Sequence, residues 1–117
     1  MNIESFREYC IKKPGVTEEF PFDEVTLVFK VGGKIFALTD LLEFDSINLK
    51  AAPDRSIELR EHYDEIQPGF HMNKKHWNTV KTRGKLPVAL LKELIDHSYE
   101  LVYNSLTHRE KVLIPKS

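Results

Sequence analysis

Five histidines and one cysteine are the side chains of this 117-residue chain best suited to metal or nucleophilic chemistry. His71 and His76 stand five apart with Asn73 between them, while His62, His97 and His108 lie in other segments. A helical zinc pair needs histidines at i and i+4 with a further ligand, and H-E-x-x-H does not occur. Cys10 falls on the apolar side of a helical pattern, the setting of an inert buried thiol rather than a nucleophile. Glu18, Glu19, Asp23 and Glu24 cluster in a stretch that reads as a solvated connector. G-x-S-x-G, Walker A and G-x-G-x-x-G are all absent, and Gly32-Gly33 is accounted for by a turn. The expectation is a protein that is not an enzyme and carries no cofactor or metal.

Charge is more informative. The chain holds 17 Lys and Arg against 18 Asp and Glu, a net −1 that conceals a strong asymmetry. Met1 to Glu65 carries eight basic and fourteen acidic residues. Ile66 to Lys92 carries Lys74, Lys75, Lys81, Arg83, Lys85 and Lys92 with no Asp or Glu. A local cationic block attracts a phosphate backbone, because neutralised phosphates release condensed counterions. Asn73, His76, Trp77 and Asn78, inside the block, add groups able to reach bases, sugars or phosphates. Three or four phosphate contacts give a salt slope of about −3 on duplex DNA, which is weak and poorly specific binding. The alternative is a block that merely pairs with the acidic remainder, with Trp77 as a core anchor beside Phe70, Met72 and Val80.

These residues need a scaffold. Ile3, Phe6 and Cys10 at helical spacing predict a helix from Ile3 to Lys12, capped by Asn2 and ended by Pro14-Gly15. Val16 to Glu24 reads as a connector. Val25 to Leu38 reads as a hairpin about Gly32-Gly33, the pair a primed two-residue turn favours. That register sets Val31 opposite Lys34, Phe29 opposite Phe36 and Leu27 opposite Leu38. Val25, Leu27, Phe29, Phe36 and Leu38 then share one apolar surface. Ser46 to Lys50 is a third strand with Ile47 and Leu49 inward. Pro53 starts a helix to about Tyr63, with Ile57 and Leu59 as its apolar positions. Two short strands follow, near Gly69 to Met72 and Trp77 to Val80, joined by a basic turn. Val88 to Ser105 is the longest helical pattern, its stripe formed by Leu90, Leu91, Leu94, Ile95, Tyr99, Val102 and Leu106. Val112-Leu113-Ile114 reads as an edge strand or a disordered tail.

The predicted order is α–βββ–α–ββ–α: an α+β, two-layer sandwich whose antiparallel sheet is covered by helices on one face. One domain is expected over residues 1–117, since 41% hydrophobic and 30% charged residues suit a single compact core. The composition excludes a histone-like basic protein and an acidic disordered tail. No apolar run approaches the ~18–20 residues of a membrane span, and the first residues lack a signal-peptide pattern. With one cysteine and no internal disulfide, the expected location is cytoplasmic.

Pro14 to Phe22, the hairpin through Phe29, Gly32 and Phe36, and the Leu49-Lys50 strand resemble the MmcQ/YjbR family. The run Pro68-Gly69-Phe70-His71-Met72-Asn73-Lys74-Lys75-His76-Trp77-Asn78-Thr79-Val80 carries the likeness furthest, and Leu86-Pro87 and Ser98 to Val102 also fit. The resemblance implies a two-layer domain likened to frataxin-type and secretion-chaperone-like folds. It also implies DNA binding by a "double wing" of hairpins, with His71, Asn73, Lys74, His76 and Trp77 as the distinctive positions. The expected function is binding of double-stranded DNA through the basic turn region, residues 74–85. There Lys74, Lys75, Lys81, Arg83 and Lys85 contact phosphate, Asn73 and His76 orient the turn or reach a base, and Trp77 anchors it. The alternative is a protein-interaction or chaperone-like module that recruits a protein partner. A third class is a small-ligand or metal site near His71 and His76.

Overall fold

A computed structural model describes residues 1–69 and 72–114. The first element, α1 (Ile3–Ile11), opens on a capping box in which Asn2 and Ser5 each satisfy the other's backbone N–H. It turns Phe6 and Cys10 fully inward. Four strands follow in antiparallel succession: β1 (Val16–Glu19), β2 (Thr26–Val31), β3 (Lys34–Asp40) and β4 (Ser46–Lys50). Then come α2 (Pro53–His62), β5 (Ile66–Pro68), β6 (Trp77–Lys81), α3 (Val88–Ser105) and α4 (His108–Val112). The six strands lie in the order β1-β2-β3-β4-β6-β5, so β6 sits beside β4 and β5 closes the far edge.

One core unites helices and sheet. Phe6 and Cys10 of α1 and Leu91, Leu94, Ile95 and Val102 of α3 pack on Leu27, Phe29, Val31, Phe36, Ile47, Leu49 and Val80. Phe6 meets Phe29 edge-on at 5.5 Å, and Phe36 meets Tyr99 of α3 edge-on at 5.4 Å, both favourable aromatic geometries. Side chains alternate along a strand, so the residues between these core positions face away from the helices. The opposite face of the sheet carries no helix among the described residues.

The architecture is the α+β sheet with helices on one face that the sequence predicts, with two additional elements. Val16–Glu19 is an edge strand rather than a connector: Val16 pairs with Val31 and Glu18 with Phe29. The expected strand at Gly69 to Met72 lies earlier, at Ile66–Pro68, and Phe70 and His71 fall outside the described residues. Thr107 and Glu110 form a second capping box, so the tail continues into α4 instead of a strand. Residues 115–117 also fall outside the described residues.

The hairpin register differs from expectation. Val31 does face Lys34, but a bulge between Phe29 and Lys30 sets Phe29 opposite Ala37, Val28 opposite Leu38 and Leu27 opposite Thr39. Phe36 is the extra residue, and Leu38 passes to the helix-free face, because a one-residue slip exchanges faces. Ser98 of α3 absorbs the irregularity: its hydroxyl donates to Phe36 O (2.5 Å) and accepts from Lys50 N (2.8 Å). At the hairpin tip Gly32 has φ +58°, and a Cβ there would stand 2.7 Å from Leu106. In α2, Leu59 is buried but Ile57 points to solvent, contrary to its expected apolar position.

Candidate functional site

The basic segment wraps around β6. Before the strand, Asn73 to Trp77 form a turn held by its own polar groups and by Gly69. Asn73 Oδ1 accepts from Lys75 N (2.8 Å), Asn73 O accepts from Trp77 N (2.9 Å), and Gly69 N donates to Trp77 O (2.8 Å). Gly69 is needed for that approach, since a Cβ there would meet Trp77 Cβ at 2.8 Å. Lys74 Nζ donates to Gly69 O at 2.9 Å, so this ammonium ties its own loop closed.

The strongest clamp comes from outside the turn. Arg60 of α2 donates through Nε to Asn78 Oδ1 (2.8 Å) and through Nη2 to Lys74 O (2.5 Å) and Trp77 O (3.1 Å). Asn78 is 2% exposed and in turn donates through Nδ2 to Ser56 Oγ (3.0 Å). A guanidinium with several donors in a fixed fork suits this task. It gives the Lys74 carbonyl a donor and adds a second one to Trp77 O, which already accepts from Gly69 N.

From the end of the strand, residues 81–85 are tied down mainly through backbone groups. Lys81 N donates to Glu65 O, Thr82 N to Asp45 O, and Arg83 Nη2 to Glu43 O (3.1 Å). Lys85 N donates to Glu65 Oε2 (3.3 Å) while its side chain stays exposed. Four ion pairs occur among the described residues: Arg7–Glu18, Lys13–Asp96, Lys30–Glu19 and Arg55–Glu93. None uses Lys74, Lys75, Lys81, Arg83 or Lys85.

β6 alternates against the usual order of hydrophobicity. Asn78 and Val80 face the core, pairing with Leu49 and Ile47 of β4. Trp77, Thr79 and Lys81 therefore face the helix-free side, paired with Lys50, Asn48 and Ser46. Trp77 is half-buried on that face and is not part of the core, which corrects its expected role as a core anchor. Thr79 Oγ1 donates to Asn48 Oδ1 at 2.6 Å, a polar rung between the Lys50–Trp77 and Ser46–Lys81 rungs.

Comparison with known proteins places this geometry. A family model described as YjbR matches residues 11–101. The chain belongs to the YjbR family. Two relatives from Escherichia coli are similar over nearly all of it. YbdF of strain O157:H7 is 39% identical over 92% of this chain and 89% of its own length. YjbR of strain K12 is 31% identical over 97% and 98%. The crystal structure of Deinococcus radiodurans DR2400, a DUF419 domain, superposes with a TM-score of 0.88 at 42% identity. It covers 95% of this chain and 86% of that one. A Pseudomonas syringae crystal structure gives 0.74 at 30% identity, covering 87% and 99%.

Within this YjbR-family fold, the expected site residues separate into two kinds. Lys75, Lys81 and Lys85 are exposed cations with no side-chain partner among the described residues. Asn73 accepts from Lys75 N within the turn; Lys74 and Arg83 use donors on backbone carbonyls. His76 is half-buried and offers its carbonyl to Ala51 N (2.8 Å). Asn78 is committed to the core side and Arg60, so it does not reach outward as a base contact. Two residues carry weight that the sequence did not disclose: Arg60 as the clamp and Lys50 as the neighbour of Trp77. Lys50 was legible as outward-facing, but β4 beside β6 is a tertiary fact.

Burial pushes the Cys10 thiol up to about 12, so it stays protonated and unreactive. Among the described residues no three His, Cys, Asp or Glu side chains converge as metal ligands, and no helix is long and apolar enough to cross a membrane.

Proposed function

We propose that the protein binds duplex DNA by contacting phosphates from both ends of β6. The supporting observation is the placement of unpaired cations: Lys75 precedes the strand, Lys81 is its last residue and Lys85 follows it. The strand between them, from Trp77 to Lys81, spans roughly 13 Å. The major groove is about 12 Å wide, so the two groups suit phosphates on its opposite walls. Asn73 and Arg60 hold the first group in shape, and Trp77 sits between the two on the helix-free face. The reading involves no catalytic step and no cofactor, and it implies residence in the cytoplasm with the chromosome.

With three or four phosphates engaged, the salt slope is about −3. Replacing Lys75 and Lys81 together with Glu should sharply reduce retention of duplex DNA and flatten the slope by about 2. Wild-type protein that shows no salt-sensitive retention at low ionic strength ends the reading.

A second reading, docking of a protein partner, is favoured by a different region. Phe22 and Leu42 are 67% and 75% exposed on two connectors at the same end of the sheet, joined by Leu41 N to Val25 O. Co-purification of one partner that resists nuclease and disappears with Phe22→Ser and Leu42→Ser would select it.

A further inference from the structure

The helix-free face over β4 and β6 has a composition that phosphate binding alone does not require. Its outward side chains are Ser46, Asn48 and Lys50 on one strand and Trp77, Thr79 and Lys81 on the other. Two are cations and none is a carboxylate. An indole therefore lies on a strand surface beside a directly paired ammonium-bearing residue, with a second cation two rungs away, roughly 13 Å along the strand. Asn48 adds a donor: its Oδ1 accepts from Thr79, which leaves its NH₂ group without a partner among the described residues.

Side chains of these types serve unpaired nucleotides better than paired ones. A base inside a duplex has both faces covered by its neighbours and presents only its edges to a protein. A splayed base offers its whole π-face to an aromatic ring, while the flanking phosphates meet nearby cations. Trp77 is half-buried on this face, so part of its surface is left to solvent. Gly69 packs against the Trp77 backbone and Cβ, which fixes the origin of the side chain.

We infer that this face holds a single-stranded stretch of nucleic acid. One unpaired base stacks on Trp77, Lys50 and Lys81 meet its flanking phosphates, and the Asn48 amide donates to a base acceptor. The inference rests on the phosphate-binding reading and adds a preference within it: opened or single-stranded DNA binds more tightly than closed duplex.

Trp77 is the one tryptophan in the chain, so its emission reports stacking directly. Wild-type protein at low ionic strength is titrated with oligothymidylate and, separately, with a blunt duplex carrying the same number of phosphates. Quenching by the single strand, with tighter binding than the duplex, is the expected result. Anisotropy with labelled oligothymidylate then compares Trp77→Leu with Trp77→Phe. The leucine variant should bind roughly ten-fold more weakly and the phenylalanine variant should retain most of the affinity. Duplex binding should change little in either, and matching unfolding midpoints show that both are folded. Salt-sensitive binding of both nucleic acids without quenching overturns the stacking inference and leaves the phosphate reading standing. Binding of neither overturns both.

Discussion

At the seam between α1 and α3, Lys13 is surrounded by partners. Its ammonium pairs with Asp96 and lies 4.7 Å from the Tyr9 ring centre and 5.5 Å from that of Tyr99. Tyr9 O–H donates to the same carboxylate at 2.7 Å, and Tyr99 O–H donates to Pro14 O at 2.6 Å. At the turn before β6, Lys75 projects into solvent with no carboxylate in reach among the described residues. Both are lysines in a segment leading into a strand, yet one is consumed by the fold and the other is left available. The contrast teaches that a count of basic residues in sequence says little about binding; what matters is which ammonium groups the folded chain has already engaged. Lys74 makes the same point within one turn, since its neighbour is free and it is not.

This contrast can be broken most severely at Arg60. Arg60→Ala strips three donated bonds from the basic turn and leaves Asn78 Oδ1 buried without its donor. Urea unfolding should show a loss of about 2 kcal/mol, and duplex retention should fall as the turn loosens. Asp96→Asn probes the seam. It weakens the Lys13 pair, whose partners are 17% and 41% exposed, so the loss should be about 0.5–1 kcal/mol at neutral pH. DNA retention should be unchanged, which separates a cation used for folding from one left for a ligand.

The smallest effect concerns His97 of α3, whose Nε2 accepts from Ala52 N at 3.4 Å. Burial, and then the Arg55 guanidinium, hold its protonation below the ordinary value of 6.5. The unfolded chain therefore binds this proton first as the solution is acidified. Stability is full above about pH 6.5 and declines as pH falls toward the folded-state value. Unfolding measured between pH 7.5 and 5.5 should show that decline in the wild type and a shallower one in His97→Gln.

Much of the scaffold was legible because local signals agreed with one another. Asn2 with the Ile3–Phe6–Cys10 spacing gave α1, and Val88–Ser105 gave α3 to the residue. Gly32-Gly33 gave the turn, but nothing local marks the bulge that displaces Phe36, because its carbonyl is satisfied by Ser98, 62 residues away. β1 was missed because Val16-Thr17-Glu18-Glu19 has the acidity of a loop and only partial burial as an edge strand. α4 did carry a signal, the Thr107-x-x-Glu110 capping box, which the apolar Val112-Leu113-Ile114 run obscured. In the candidate site, the cationic block and the Asn73 turn were readable. Which of Trp77 and Asn78 turns inward was not readable: hydrophobicity alone favours the indole, whereas Arg60 and Ser56 make the carboxamide the buried member.

The seat that Leu106 takes against Gly32 bears on how this protein can be remodelled. Tips of tight hairpins are ordinarily convenient places to splice in a tag or a recognition loop. Here the two central glycines are unequal: Gly33 looks onto open space, whereas Gly32 carries the exit of α3 on its back. A graft begun after Gly33 would leave the helix exit seated, while one that displaced Gly32 would lift the helix off its rest.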